Sequence, residues 1–200
     1  MSKKKILGLD VSTTTIGIAI VEFEKDISDA KLIHTEYYKP NKKTDEINRL
    51  KEAVDYILKI AEKFKVDDVA VEEYIKFMKG SSGASTVIPL AIINTTLRLF
   101  IYEKLNIMPF VYNVLTIRHA LKFDKKLPAK EDIPEIVARH LNINFPYEYK
   151  INRKTKQQDI KIESYDVADS VAVALAHIKN TTEIKPLKNK RSRLNKKKVS

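Results

Sequence analysis

The chain has no cysteine and only four glycines in 200 residues. Without thiols there is no disulfide framework and no thiolate metal site. The redox compartment is left open, and any metal chemistry is pointed toward hard ions held by oxygen. The glycines (Gly8, Gly17, Gly80 and Gly83) are too few for an enzyme that needs several glycine-rich nucleotide loops, so no nucleotide cofactor is expected. No apolar stretch reads as both long and uncharged enough to span a bilayer, and Met1-Ser2-Lys3-Lys4-Lys5 runs straight into a strand-like segment. Neither a membrane anchor nor a signal peptide is therefore expected. There are no internal repeats.

Acid is missing from the last stretch of the chain. Residues 184–200 hold eight Lys and Arg and no Asp or Glu, and taking those eight charges from the net +11 leaves +3 for the remainder. We read residues 1–183 as one domain and 184–200 as a basic, disordered tail. Such a tail tracks a polyanion or merely keeps the chain in solution, and composition does not choose between them. Of the 37 basic residues only seven are Arg, a bias toward phosphate neutralisation rather than bidentate base reading.

What is present is periodicity. Residues 5–10, 15–23 and 31–38 read as strands, the second nearly all apolar and β-branched as a central strand would be. Their short links imply antiparallel pairing. A helix follows over residues 45–65, with Ile47, Leu50, Val54, Ile57, Leu58 and Ala61 as its stripe and Thr44 as the expected N-cap. Then come a buried strand at 68–72, a helix at 84–105, a strand at 109–114, and helices at 116–122 and 130–141. The link 149–164 is long and basic, and a last helix begins near Asp166. The order predicts an α/β fold with a mixed five-stranded sheet, three strands antiparallel and two parallel, flanked by helices.

Four acids stand out against this pattern. Asp166 and Asp169 are three apart at the head of a helix that is apolar almost all round, and so share a face. Asp10 closes Ile6-Leu7-Gly8-Leu9, and Glu72 closes Val69-Ala70-Val71. A buried carboxylate is costly unless it is paired or binds a metal. Ligands gather at the carboxyl ends of parallel strands, where Asp10 and Glu72 would lie side by side if their strands are neighbours. Simpler readings stand beside this one: Asp10 as a turn residue, Asp166 as a first-turn charge. Glu73 competes with Glu72, which is the inward acid only if Ala70 shares its face.

The set Gly8-Leu9-Asp10, Ala70-Val71-Glu72 and Asp166-Val167-Ala168-Asp169 resembles the RuvC-type Holliday-junction resolvases of the ribonuclease H-like superfamily, over residues 5–179. The resemblance implies that Asp10, Glu72, Asp166 and Asp169 are catalytic metal ligands, holding two Mg2+ per site with Mn2+ able to substitute. It places Lys130, in Ala129-Lys130-Glu131-Asp132, near the scissile phosphate, and matches Gly17 to a glycine the family keeps in its second strand. The stretch Tyr74-Ile75-Lys76-Phe77-Met78-Lys79 resembles a loop that wedges an aromatic into the junction centre, making Tyr74, Phe77 and Lys79 nucleic-acid contacts. Arg153, Lys154 and Lys156 of the basic link are further candidates for DNA contact. The family's usual Asp-Pro-Gly opening is Asp10-Val11-Ser12 here, and the basic link and tail look like additions.

The chemistry implied is in-line phosphodiester hydrolysis with two divalent ions about 4 Å apart. Asp10 would bridge them, Glu72 and Asp169 would hold one each, Asp166 would complete the set or orient water, and Lys130 would stabilise developing charge. Paired nicks require a two-fold homodimer on branched DNA, for which the apolar helix 84–105 offers a surface; the plainer reading is that it only packs on the sheet, and its apolar positions, covering more than one face, favour both. A cytoplasmic setting, at a nucleoid or a viral replication site, follows from the same resemblance.

Other readings stay open at this point. Leu7-Gly8-Leu9-Asp10-Val11-Ser12-Thr13-Thr14 also resembles the first phosphate loop of sugar kinases and actin-like ATPases, which need a second domain and more glycine than this chain has. A non-catalytic binder of branched DNA is a third class, argued against by four acids that would repel a phosphate backbone. The same nuclease chemistry on forks, flaps or RNA–DNA hybrids is the alternative substrate reading. Tyr74 and Phe77 could be packed aromatics, and His34, His119, His140 and His177 surface or core residues rather than ligands.

Overall fold

A computed structural model describes residues 2–41, 43–74, 83–152 and 156–183. Its elements are β1 (Lys4–Val11), β2 (Ile16–Phe23), β3 (Lys31–Tyr38), α1 (Glu46–Phe64), β4 (Asp68–Glu72), α2 (Gly83–Leu105), β5 (Phe110–Tyr112), α3 (Val114–Leu121), α4 (Ile133–Leu141), β6 (Tyr149–Ile151), β7 (Gln158–Ile160) and α5 (Glu163–Thr182). The main sheet runs β3-β2-β1-β4-β5. β1, β2 and β3 are antiparallel, whereas β4 and β5 join parallel to β1. This is the mixed five-stranded α/β sheet that the sequence predicts, in a ribonuclease H-like arrangement.

Local chemistry fixes the first hairpin. The Ser12 N–H donates to the Thr15 carbonyl (3.0 Å), and Ser12 Oγ accepts from the Thr15 N–H (3.0 Å). That closes a tight turn and sets Asp10 opposite Gly17. Strand alternation then divides the core into two layers. Ile6, Ala19, Val21 and Ala70 pack under α3, α4 and α5. Leu7, Leu9, Ile16, Ile18, Ile20, Val69 and Val71 pack against α1 and α2. Covered on both faces, β1 and β2 must be nearly all apolar.

α5 buries twelve of its residues, among them Ser170, Ala174 and His177, which explains a sequence apolar all round. It lies directly on the sheet. A Cβ at Gly8 would come within 2.1 Å of the Ser170 carbonyl oxygen, and one at Gly17 within 2.0 Å of the Asp166 carbonyl oxygen. The buried Ser170 hydroxyl is satisfied by donating to the Val167 carbonyl (2.7 Å).

Five sequence expectations are corrected. Asp45 caps α1, its carboxylate accepting from the Asn48 N–H, while the Thr44 hydroxyl donates to the Asn41 carbonyl in the preceding turn. The link 149–164 is not all loop: β6 and β7 form a hairpin inside it, and α5 starts at Glu163, three residues early. α4 starts at Ile133 with Pro134 in its first turn, so Lys130 sits in the turn before the helix. Finally, α2 is by length and composition apolar enough to cross a membrane. Its Ile93, Leu97 and Ile101 nonetheless pack into the layer beneath β1, leaving Ile88, Ile92, Leu99 and Phe100 exposed. The tail 184–200 lies outside the described residues.

The helix–sheet contact generates a stability prediction. Gly17→Ala forces the Asp166 main chain off the sheet, and overpacking of this kind should lower the Tm by ~5 °C. Thermal unfolding by circular dichroism checks it. An unchanged Tm would mean that α5 can lift at no cost.

Candidate functional site

Two strands bring the first acids together. β1 and β4 pair in parallel with Gly8 beside Ala70 and Leu9 beside Val71, so the next step sets Asp10 beside Glu72. Ala70 belongs to the layer under α5, and Glu72, two residues on, shares its face. The Glu73 N–H instead donates to the Tyr112 carbonyl (2.8 Å), continuing the ladder toward β5. The fully buried Asn94 of α2 donates its side-chain amide to the Glu72 carbonyl (3.0 Å), pinning the strand end from the opposite layer.

α5 supplies the other two. Its first turn carries Asp166, and the contact at Gly17 places that turn over the strand neighbour of Asp10. Asp169 follows on the same helix face. All four carboxyls are pushed toward protonation, and in each the leading cause is burial. Asp10 is raised well above the usual carboxylate range, with Glu72, Asp169 and Asp166 adding like charge and Lys130 opposing. Glu72 rises to about 7, burial and Asp169 outweighing Lys130 and Arg118. Asp169 rises to about 6, with Lys130 and Arg118 pulling down and Asp166 pushing up. Asp166 is raised by burial and Glu163 against the pull of Lys130 and Lys39.

Lys130 Nζ stands 3.7 Å from Asp169 Oδ2. A cleft of about 270 Å³ opens here, lined by Glu72, Asp169, Lys130 and Arg118. Arg118 was not among the residues expected from the sequence. It is a half-buried cation on the short helix α3, whose buried residues are Ile117, Ala120 and Leu121. Beside Thr116 and His119 it carried no distinguishing sequence signal, although guanidinium is the cation suited to partly buried phosphate or carboxylate.

Among the described residues no three of His, Asp and Glu are gathered into a ready-made metal centre. Like charge nonetheless links the carboxylates: Asp10 feels Glu72, Asp169 and Asp166, Glu72 feels Asp169, and Asp169 feels Asp166. The donor set fits a hard divalent ion: carboxylate oxygens only, already desolvated, with mutual repulsion that a bound cation would relieve.

The remaining expected residues are dispersed. Tyr74 is half-buried two positions past Glu72, and Lys156 is exposed in the β6–β7 turn with φ 59°, its N–H donating to the Asn152 carbonyl (2.8 Å). Phe77, Lys79, Arg153 and Lys154 lie outside the described residues. His177 is buried with its Nδ1 3.0 Å from the Tyr112 hydroxyl and its Nε2 3.5 Å from Asp68 Oδ2, and His140 Nε2 lies 2.9 Å from the Leu121 carbonyl.

No family model matches the chain. Over 179 residues, 88% of this chain and 97% of the relative, it is 31% identical to the crossover junction endodeoxyribonuclease RuvC of Campylobacter concisus (strain 13826). Over 175 residues, 86% of this chain and 97% of the relative, it is 29% identical to that of Aliarcobacter butzleri (strain RM4018). Among solved structures it is similar to T. thermophilus RuvC in complex with Holliday junction substrate, with a TM-score of 0.65 at 19% identity, covering 89% of this chain and 94% of that one. At that identity the likeness speaks for the fold.

The electrostatics predict a pH-dependent stability. Glu72 titrates at about 7 in the fold against an ordinary value of 4.5. Its protonated form is favoured by folding, so this stabilisation is full below pH 4.5 and is lost as pH rises through about 7. In chelator-treated protein, Glu72→Gln should therefore raise the Tm at pH 8 by ~3 °C, with the gain vanishing toward pH 4.5. Scanning fluorimetry across pH checks it. A gain independent of pH would remove charge as its cause.

Proposed function

Because the chain belongs to the RuvC family of crossover junction endodeoxyribonucleases, we propose that it resolves four-way DNA junctions by paired symmetric nicks through metal-dependent phosphodiester hydrolysis. The observation that carries this reading is the convergence of Asp10, Glu72, Asp166 and Asp169 at the carboxyl ends of β1 and β4, with Lys130 and Arg118 on the rim of the same cleft.

Asp10, central to the four, would be shared between two Mg2+ ions, with Glu72 and Asp169 each holding one and Asp166 completing the set or orienting water. Bound there, divalent ions supply an ionised water nucleophile and neutralise the phosphoryl oxygens. Lys130 and Arg118 face the place where negative charge grows, and their preorganised cations favour the transition state over the ground state. Arg118, with its planar fork, would orient the phosphate as well as attract it. Glu72, raised to about 7, is partly protonated at neutral pH and must surrender that proton when the site is loaded, whereas Asp169, at about 6, is already mostly ionised there.

Two cuts require two sites related by a two-fold axis. The exposed Ile88, Ile92, Leu99 and Phe100 of α2 offer the surface for a homodimer, which would dispose of an apolar face otherwise left in water. The basic tail would bind phosphates beyond the cleft.

Three outcomes are expected. On a synthetic immobile junction, with a Y-fork and an RNA–DNA hybrid alongside, Mg2+ should support symmetric nicks on the junction, and EDTA or Asp10→Asn should abolish them while sparing junction binding. Cutting of the fork or hybrid alone would keep the chemistry and overturn the substrate; loss of binding with cutting would overturn Asp10 as a ligand. Mg2+ should also raise the Tm, and by more at pH 8 than at pH 6, since the ligands must be deprotonated; an equal rise would sink the assigned ligand set. Deleting residues 184–200 should flatten the salt dependence of binding by about 0.9 in log–log slope for each phosphate the tail neutralises, and an unchanged slope would make the tail a bystander.

A further inference from the structure

The hairpin β6–β7 has an apolar face turned to solvent. Its antiparallel register sets Tyr149 opposite Ile160 and Ile151 opposite Gln158. Tyr149, Ile151 and Ile160 therefore share one face, and Lys150 and Asp159 the other. Tyr149 is 53% exposed and Ile151 69%. The Lys161 N–H donates to the Glu148 carbonyl (2.8 Å), carrying the pairing one step toward the helix. Two residues past β7 comes Ile162, 66% exposed and helical in its dihedral angles, four residues ahead of Asp166. At that spacing Ile162 and Asp166 are neighbours on the helix surface. Exposed apolar side chains are thus found both on the hairpin and at the start of α5 beside the acid cluster.

The hairpin face is rooted in the core. Phe145 is buried, its ring is 5.1 Å from that of Tyr147, and Tyr147 is 6.4 Å from Tyr149. A two-stranded ribbon gains little stability of its own in water, and an exposed apolar face on it invites misassociation. The charge around it says which partner suits it. Lys150 and Lys156 are exposed on the same hairpin, a setting that attracts a phosphate backbone. Tyrosine and isoleucine on one face, with Lys150 on the other and Lys156 in the turn, fit DNA whose bases are uncovered, since apolar side chains stack on or wedge between bases while ammonium groups hold the flanking backbone. Intact duplex offers edges in its grooves; a branch point offers faces.

We infer that the Tyr149–Ile151 face of this hairpin, together with Ile162, stacks on bases opened at the branch point of the DNA whose backbone lies at the acid cluster. The inference rests on the function proposed above and gives that site a specificity element for branched over linear DNA.

The test is equilibrium binding of full-length protein, in EDTA so that nothing is cut, to a four-way junction and to a linear duplex of equal length over a salt series. The double variant Tyr149→Ser, Ile151→Ser should bind the junction about tenfold more weakly and the duplex unchanged. Its log–log salt slope on the junction should match wild type, because no cation was removed. Tyr149→Phe, which keeps the ring, should retain wild-type affinity. Junction affinity unchanged in the double variant, an equal loss on duplex, or a changed oligomeric state in sedimentation without DNA would overturn the assignment, the last by giving the face to a second copy. If wild type itself shows no preference for the junction, the functional reading falls and this inference with it. If that preference is present but indifferent to the hairpin, only the inference falls.

Discussion

At Gly8 and Gly17 the helix α5 approaches β1 and β2 so closely that a methyl group at either position would overlap a main-chain oxygen. The acid cluster depends on that approach. Asp166 and Asp169 stand on a helix, Asp10 and Glu72 on strands, and side chains this short reach one another only when the backbones nearly touch. Small residues make it possible on both sides: glycine in the sheet, Ser170 and Ala174 in the helix. The same contact explains why α5 has no polar face. With the sheet beneath and α3 and α4 beside it, nearly every position is covered.

Seating four carboxylates there works against the fold. Burial leads every one of their shifts, and Lys130 and Arg118 offset it only in part. Lys130 is itself largely exposed and 3.7 Å from Asp169, too far for a strong charge-assisted bond. A protein selected for stability alone would place an apolar residue or an amide at Glu72. Rule-breaking of this kind in an otherwise consistent core marks a working site rather than a packing defect.

Much of this was legible in the sequence, for identifiable reasons. The alternation in β1 and β2 and the stripe of α1 follow from burial on one or two faces, and burial is written in residue type. The four acids were conspicuous because each interrupts or terminates an apolar run. Arg118 was not, since one cation on an eight-residue helix looks like any solvated charge until α5 and Glu72 are brought beside it. The β6–β7 hairpin escaped because three-residue strands of Tyr-Lys-Ile and Gln-Asp-Ile carry too few alternations to register. Asp45 took the cap from Thr44 for a reason of one residue's geometry: both can accept from a helix N–H, and Thr44 is spent in the turn before it.

The hairpin's place in the chain explains how the fold tolerates it. It sits between α4 and α5, where a longer connection costs little, because loop-closure entropy grows only with the logarithm of length. What must not change is the start of α5, on which Asp166 and Asp169 depend. The base of the hairpin is tied there. The Glu148 N–H donates to Ser164 Oγ (2.9 Å), Lys161 Nζ pairs with Glu148 Oε2 (2.8 Å), and Lys39 on the β3 side pairs with Glu163. These bonds close the hairpin at its foot, beside the start of α5. A hairpin so clamped can vary in what it touches without moving the acids beside it. Substrate selection could therefore be altered there at constant chemistry.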